Sequence, residues 1–345
     1  MSQPDTNQPT LVESAEQSFS ALAHLKKPLV FGTLCGLFSA VVYTAANGFL
    51  RAAADFDPFW VSAVKALPTA LFMAPWLVFD SRRGQPVFPR PKVWLTLASA
   101  ALLGQAGGNV PFQFALREIG IAISVPLSLG AMILASAVLS RVFLGESITS
   151  RTVLAMLMLI TAVSVLSLGA GQAHEANVSH AASWGRLLLV IAGLCFSGVS
   201  YSILNVVIRR NVAREASLPA TLFTVSVVGM VSLGAISWQR IGLAEMFAAP
   251  SSFWSCTLLA GVCNAIAFVA LTKALQLTSV VYTNALNATQ VTMAAVAGTL
   301  FFRELISSWL LIGIGLTITG LVLMRKGAAD EPSRQHLAAE IQDEP

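Results

Sequence analysis

Ten runs of mainly apolar residues, each about 20 residues long, occupy most of this 345-residue chain. A helix needs roughly 20 such residues to cross the hydrocarbon core of a bilayer. Because lipid offers no hydrogen-bond partners, a spanning backbone must satisfy its own polar groups, which a helix does within one segment. We therefore predict an all-α integral membrane protein whose ten transmembrane helices lie at residues 29–50, 58–79, 93–115, 120–141, 152–170, 187–208, 219–238, 253–274, 279–301 and 309–324.

The charged residues support this prediction and indicate an orientation. Only 11% of the residues are charged, whereas an average soluble domain has about 25%. Of the 21 Lys and Arg residues, fifteen fall on the side of the two termini and five on the opposite side. Because basic residues collect on the cytoplasmic side, we expect an inner-membrane (plasma-membrane) protein with cytoplasmic N- and C-termini. The basic residues form no patch with interleaved aromatics, so we expect no nucleic-acid partner.

The chain contains an internal repeat at an offset of 158 residues. Residues 39–47 match residues 197–205 at serine, valine, tyrosine and asparagine, and residues 144–149 match 302–307 around a shared glutamate. Five predicted spans separate the copies, and an odd number reverses the chain direction, so we predict two inverted five-helix repeats. Such repeats recur in secondary transporters, where substrate binds between the halves. The predicted division is a cytoplasmic tail at 1–27, a first repeat at 28–170, an external linker at 171–186, a second repeat at 187–326 and a cytoplasmic tail at 327–345.

These features resemble a known family. The segments 143–149 and 301–307, each ending a fourth helix of its half with a glutamate, are similar to the EamA branch of the drug/metabolite transporter superfamily. Lys65 takes the place of a basic residue that the family usually has in its second helix, and Pro126 fits its fourth helix. Asn284 departs from the pattern, since a proline is expected there. The resemblance implies a ten-helix permease for small organic molecules.

Lys65 is the ionisable residue placed well inside a predicted span. A charged side chain there is unfavourable by roughly 2.5–3.5 kcal/mol and is retained mostly for function. Our hypothesis is that Lys65 neutralises an anionic group of a substrate, such as a carboxylate or a phosphate. The alternative is that its side chain extends along the helix to the membrane surface near Asp57.

Polar side chains recur at helical spacing in four predicted spans: Ser39, Tyr43 and Asn47; Gln105, Asn109 and Gln113; Ser197, Tyr201 and Asn205; and Asn284, Asn287 and Gln290. Residues three or four apart share a helix face, and amides facing lipid would be unsatisfied, so these faces should point into the bundle. The alternative role is hydrogen bonding between helices. Together with Lys65, the predicted substrate-binding residues are Tyr43, Asn47, Gln105, Asn109, Tyr201, Asn205, Asn284 and Asn287.

The sequence predicts transport and leaves one alternative open. We expect a secondary transporter working by alternating access, with a small-molecule substrate and membrane lipid as partners, no cofactor or metal, and a homodimer left open. The alternative is a membrane-embedded enzyme or receptor that uses the same polar cavity. No Walker loop, CxxC pair or HExxH motif occurs, so no motif supports an ATPase or a hydrolase. No acid lies deep in a predicted span, which favours exchange or facilitated movement, or a proton relay through acids near span ends such as Asp55, Asp57 or Glu118. We interpret Glu146 and Glu304, which also lie at helix ends, as caps or ion pairs.

Overall fold

The computed structural model describes residues 11–83, 90–145, some residues between 150 and 165, and residues 184–212, 217–303 and 308–329. The described residues form helices and no β-strand, which confirms the all-α class. A π-helical segment, Leu103–Asn109, joins α3 to α4. The helices are α1 (Leu11–Ala52), α2 (Pro58–Arg82), α3 (Pro91–Leu102), α4 (Val110–Ile119), α5 (Ile121–Leu144), α6 (Trp184–Val212), α7 (Leu218–Phe247), α8 (Ser251–Leu277), α9 (Val280–Asn287), α10 (Gln290–Phe302) and α11 (Ser308–Ala329).

Within the described residues, seven helical stretches are long and apolar enough to cross a membrane. Of the other predicted spans, the third is divided among α3, the π-helical segment and α4, and the tenth contains a shorter apolar stretch, Leu311–Gly320. The fifth, residues 152–170, lies largely outside the described residues. The seven stretches are Pro28–Ala52, Pro58–Arg82, Ile121–Leu144, Gly185–Arg210, Leu218–Phe247, Ser251–Leu277 and Val280–Phe302.

The helices differ from the predicted spans at the N-terminus. Helix α1 begins at Leu11, inside the segment 1–27 that we predicted to be a polar tail. Residues 11–27 are rich in Ala, Leu, Glu and Lys and contain no Gly or Pro, which favours a helix. The change from polar to apolar residues therefore marks the start of the membrane span, but the helix itself begins further towards the N-terminus.

Two of the predicted spans are interrupted in the structure. In the span 93–115, Pro111 has no N–H to donate to the preceding turn, and glycines at 104, 107 and 108 let the backbone widen into a π-helix. In the span 279–301, α9 ends at Asn287 and α10 begins at Gln290. Irregular backbone at membrane depth occurs where it lies inside protein or lines a cavity.

The bundle has two ends that we name by one residue each. At the Asp57 end, α1 leads into α2, and the Phe56 and Phe253 rings are 4.7 Å apart between centroids. At the Arg209 end, the Arg209 guanidinium donates to the Leu275 carbonyl near the end of α8, at 2.6 Å. An apolar cluster packs each end, with Leu116 and Ile121 at the Asp57 end and Leu222 and Leu275 at the Arg209 end.

The most extensive helix contacts pair an early helix with a late one: α1 with α8, α2 with α7 and α8, and α5 with α6. Small residues allow these close approaches. A Cβ on Gly36 would lie 2.7 Å from the Leu286 side chain, and one on Gly261 would lie 2.7 Å from the Lys65 carbonyl oxygen. A Cβ on Gly198 of α6 would overlap the Ser128 carbonyl of α5. Helices from the two ends of the chain therefore share one core.

Candidate functional site

A cavity of about 150 Å³ lies in the middle of the bundle, between the two apolar clusters. Its lining comes from α1, α2, the π-helical segment, α4 and α5, and from α6 to α10. All nine residues that the sequence predicted for the site line this cavity. Its polar lining residues are Tyr43, Asn47, Lys65, Gln105, Asn109, Ser128, Tyr201, Asn205, Ser226, Asn264, Asn284, Asn287 and Gln290.

Lys65 points into this cavity and away from the membrane surface. The residue is only 7% exposed, and its Nζ donates to Asn109 Oδ1 at 2.7 Å. The Tyr201 hydroxyl donates to the same Asn109 oxygen at 2.6 Å. The alternative interpretation, in which Lys65 extends to the surface near Asp57, therefore disagrees with the structure.

The π-helical segment positions the partners of Lys65. It places Asn109 and Gln105 side by side, so that the Asn109 amide donates to Gln105 Oε1, and Gln105 Nε2 donates to the Val225 carbonyl at 3.3 Å. Two glycines leave room for the side chains around Asn109. A Cβ on Gly108 would lie 2.7 Å from the Tyr201 ring, and one on Gly229 would lie 2.5 Å from Gln105 Cδ.

Gln113 was predicted to continue the polar face of Gln105 and Asn109, which share its four-residue spacing. In the structure it does not line the cavity, and its Nε2 donates to the Leu50 carbonyl at 2.9 Å. Gln113 lies in α4, beyond the π-helical segment and about one turn past Asn109, where α4 contacts α1. Its amide therefore joins two helices, which is the alternative role that the sequence left open.

A second hydrogen-bond network joins α5, α6 and α9. Asn205 Nδ2 donates to Asn284 Oδ1 at 3.0 Å, and Asn284 Nδ2 donates to the Ser136 hydroxyl at 2.6 Å. The Ser136 and Ser202 hydroxyls are 2.8 Å apart. Neither serine was predicted to belong to the site. A signal for Ser136 exists, because it shares a face of α5 with the buried Ser128 and Ser140 at four-residue multiples.

A third network joins α1 to the break between α9 and α10. The Ser39 hydroxyl and Gln290 Nε2 both donate to Asn287 Oδ1, each at 3.0 Å. Asn47 Nδ2 donates to Gln290 Oε1 at 3.2 Å. The predicted polar face of α1 therefore meets the predicted polar face of the ninth span. Tyr43, between Ser39 and Asn47 on that face, lines the cavity as well.

Charged residues cluster at the Asp57 end, outside the cavity. The Asp57 carboxylate accepts from the backbone N–H groups of Phe59 and Trp60 at the start of α2, and lies 3.4 Å from Arg240 of α7. Glu118, whose side chain is 5% exposed, forms a 2.6 Å ion pair with Arg186 of α6.

Of the other acids considered in the sequence, one is paired and two lie outside the described residues. Asp55 lies 3.9 Å from Arg117 in an exposed pair. Glu146 and Glu304, predicted to be caps or ion pairs, lie outside the described residues. Within the part of the chain that the structure describes, no acidic side chain lines the cavity and no His, Cys, Asp and Glu residues are grouped to hold a metal ion.

The fold and the cavity define an all-helical, multi-pass membrane protein with a polar chamber inside its bundle. Residues 27–168 and residues 184–326 each match the EamA-like transporter family. Because the two matches together cover most of the chain, the protein belongs to that family, which confirms the resemblance found in the sequence. Membership implies a membrane transporter of small molecules.

Solved structures share this fold. One of them, titled only "Crystal structure of protein", superposes with a TM-score of 0.62 at 16% sequence identity, covering 86% of this chain and 97% of its own. At that identity the similarity concerns the fold alone. No curated protein matches this chain in sequence.

Proposed function

We propose that the protein is a secondary transporter that moves a small polar or amphipathic metabolite across the membrane by alternating access. The observation that carries the proposal is the cavity at mid-bundle, whose amide and hydroxyl groups come from both family copies. Buried polar groups require partners, and a substrate with hydrogen-bonding groups provides them when it displaces the internal bonds.

The proposal includes two inverted five-helix repeats, of which the first contains α1–α5 together with the predicted span 152–170, and the second contains α6–α11. The helix contacts support it because they occur in corresponding pairs. Contacts of α1 with α8 correspond to contacts of α6 with α3, the π-helical segment and α4. Contacts of α1 with α9 and α10 correspond to those of α6 with α5. A two-fold axis in the membrane plane relates inverted repeats in this way, and rocking of one repeat against the other then opens each side in turn.

The proposed orientation places the Arg209 end and both termini in the cytoplasm of an inner-membrane protein. The lopsided distribution of Lys and Arg supports it. In a variant without native cysteines, Arg210→Cys should react with a membrane-impermeant thiol reagent only from the cytoplasmic side, and Glu245→Cys only from the outside. Both residues are exposed, so the reagent can reach them. The opposite pattern would contradict the orientation.

Flux through proteoliposomes tests the transport function. Vesicles containing the purified protein are mixed with a metabolite extract, and mass spectrometry compares the vesicle interior with the outside. A transporter moves at least one compound between compartments at unchanged mass, above the level in protein-free vesicles. A compound that changes mass would indicate the membrane-embedded enzyme, and a compound that binds without any flux would indicate the receptor.

A further inference from the structure

The cavity contains a buried positive charge that no acid balances within the described residues. Lys65 is 7% exposed, and its ammonium group contacts the neutral amide oxygen of Asn109. The acids at the Asp57 end are engaged with arginines: Asp57 with Arg240, and Glu118 with Arg186. A buried charge is unfavourable unless it is paired, so binding of an anionic group next to Lys65 would be favoured.

The groups around Lys65 form a ready-made anion site. The Lys65 ammonium and the Tyr201 hydroxyl both donate to one oxygen, Asn109 Oδ1, from 2.7 and 2.6 Å. Two donors converging on one point, one of them cationic, are the arrangement that binds a carboxylate oxygen. When an anion takes that place, the Asn109 side chain can turn and present its NH₂ group as a third donor.

The rest of the lining limits the size and character of the ligand. Apolar side chains form much of the wall, including Phe112, Leu129, Met132, Phe268 and Leu271. A cavity of about 150 Å³ is similar in volume to cavities that take up a single benzene ring. Next to the anion site there is thus room for one ring or a short aliphatic chain, and the amides of α9 can bond to a polar substituent on it.

We propose that the transported substrate is a small organic monoanion, a carboxylate on an apolar body, whose carboxylate is bound by Lys65 and Tyr201. This inference rests on the proposed transport function and specifies its substrate class. One negative charge balances the single lysine, whereas a phosphate dianion would leave a buried excess charge.

Ligand-dependent thermal stability of the purified protein in detergent tests the proposal, with benzoate, benzamide and benzylamine as probes matched in size. Charge-assisted hydrogen bonds are about twice as strong as neutral ones, so benzoate should reach half its effect at a concentration roughly tenfold or more below that of benzamide. Lys65→Met should remove this preference and Lys65→Arg should keep part of it. The control Lys92→Met removes an exposed lysine at the start of α3 and should behave like wild type.

Several results would overturn the proposal. Equal stabilisation by benzoate and benzamide, stronger stabilisation by benzylamine, or a benzoate preference that survives in Lys65→Met would each exclude a carboxylate at Lys65. Stronger binding of phenyl phosphate than of benzoate would replace the monoanion by a phosphate. If Lys65→Met does not fold, the probe comparison on wild type and on Lys65→Arg decides.

The assay separates this inference from the transport function because it measures binding alone. Benzoate selectivity without metabolite flux in proteoliposomes would refute transport and keep the anion site. Flux of neutral or cationic metabolites without benzoate selectivity would keep transport and refute the anion site.

Discussion

Gly229 of α7 makes room for the side chain that orients Asn109, and replacing it with alanine tests the geometry of the site. The added methyl group would lie 2.5 Å from Gln105 Cδ and 2.8 Å from Gln105 Nε2, so the Gln105 side chain must move. Gln105 is 8% exposed and lines the cavity, so its side chain can turn away from the new methyl group only by giving up its hydrogen bonds. Its bonds to the Val225 carbonyl and from the Asn109 amide would be broken or distorted.

The magnitude follows from these contacts. Each of the two disturbed hydrogen bonds contributes about 1 kcal/mol. Replacing glycine by alanine within a helix returns roughly 1 kcal/mol. We therefore expect Gly229→Ala to lower the free energy of unfolding by about 1 kcal/mol. Gly234→Ala, on the same helix with nothing within 4 Å of the new Cβ, should raise it by about 1 kcal/mol.

Unfolding in mixed micelles titrated with a denaturing detergent measures both variants against wild type. Adding Gln105→Ala to Gly229→Ala removes the overlapping atoms, so the double variant should be about 1 kcal/mol more stable than Gln105→Ala alone. This non-additivity is the signature of direct contact. If Gly229→Ala gains stability as Gly234→Ala does, or if the two changes add, Gln105 does not pack against Gly229 and the described arrangement of the Lys65 partners is wrong.

Two other predictions use the same unfolding assay. Arg186→Gln should destabilise by about 1–3 kcal/mol because it leaves the buried Glu118 without its cation; adding Glu118→Gln should recover most of the loss, and additive losses would contradict the pairing. Ser136→Ala, which removes bonds to Ser202 and Asn284, should destabilise by about 1 kcal/mol more than Ser140→Ala, whose serine bonds only within its own helix. Equal effects of the two alanine variants would contradict the network.

Much of the candidate site could be predicted from the sequence because lipid restricts where amides can lie. Tyr43 and Asn47 lie four residues apart on α1, and Tyr201 and Asn205 repeat that spacing on α6, so each pair shares a face. A hydrogen-bonding face in a transmembrane helix must point inward, and both faces line the cavity. That argument needed only helical periodicity and the absence of water in the bilayer core.

The sequence did not predict features that depend on contacts between helices. The π-helical segment combines Pro111 with glycines that pack on Leu204 and Tyr201. No pattern within the span reveals those neighbours, so the sequence could not separate Gln113, which bonds to the Leu50 carbonyl, from the residues that line the cavity. Ser136 was not predicted, because its role depends on Asn284, which is distant in the chain.

The central claim, alternating access at a cavity between two halves, is tested most directly by two cysteines that report on opposite ends. Phe112 of α4 lines the cavity and belongs to the Asp57-end cluster, whereas Leu271 of α8 lines it and belongs to the Arg209-end cluster. Phe112→Cys and Leu271→Cys are introduced singly and together in protein lacking the four native cysteines. Each is labelled in proteoliposomes by a bulky thiol reagent that cannot cross the membrane.

Alternating access predicts that each single variant reacts only from its own side of the membrane. In the double variant, the bulky group at position 112 holds the Asp57 end open, so labelling at position 271 should fall sharply. No substrate is needed for this result, because the label itself selects the conformation. If both positions react from one side, or if labelling at 271 is unchanged after 112 is occupied, the cavity is a static pore and the carrier mechanism is wrong.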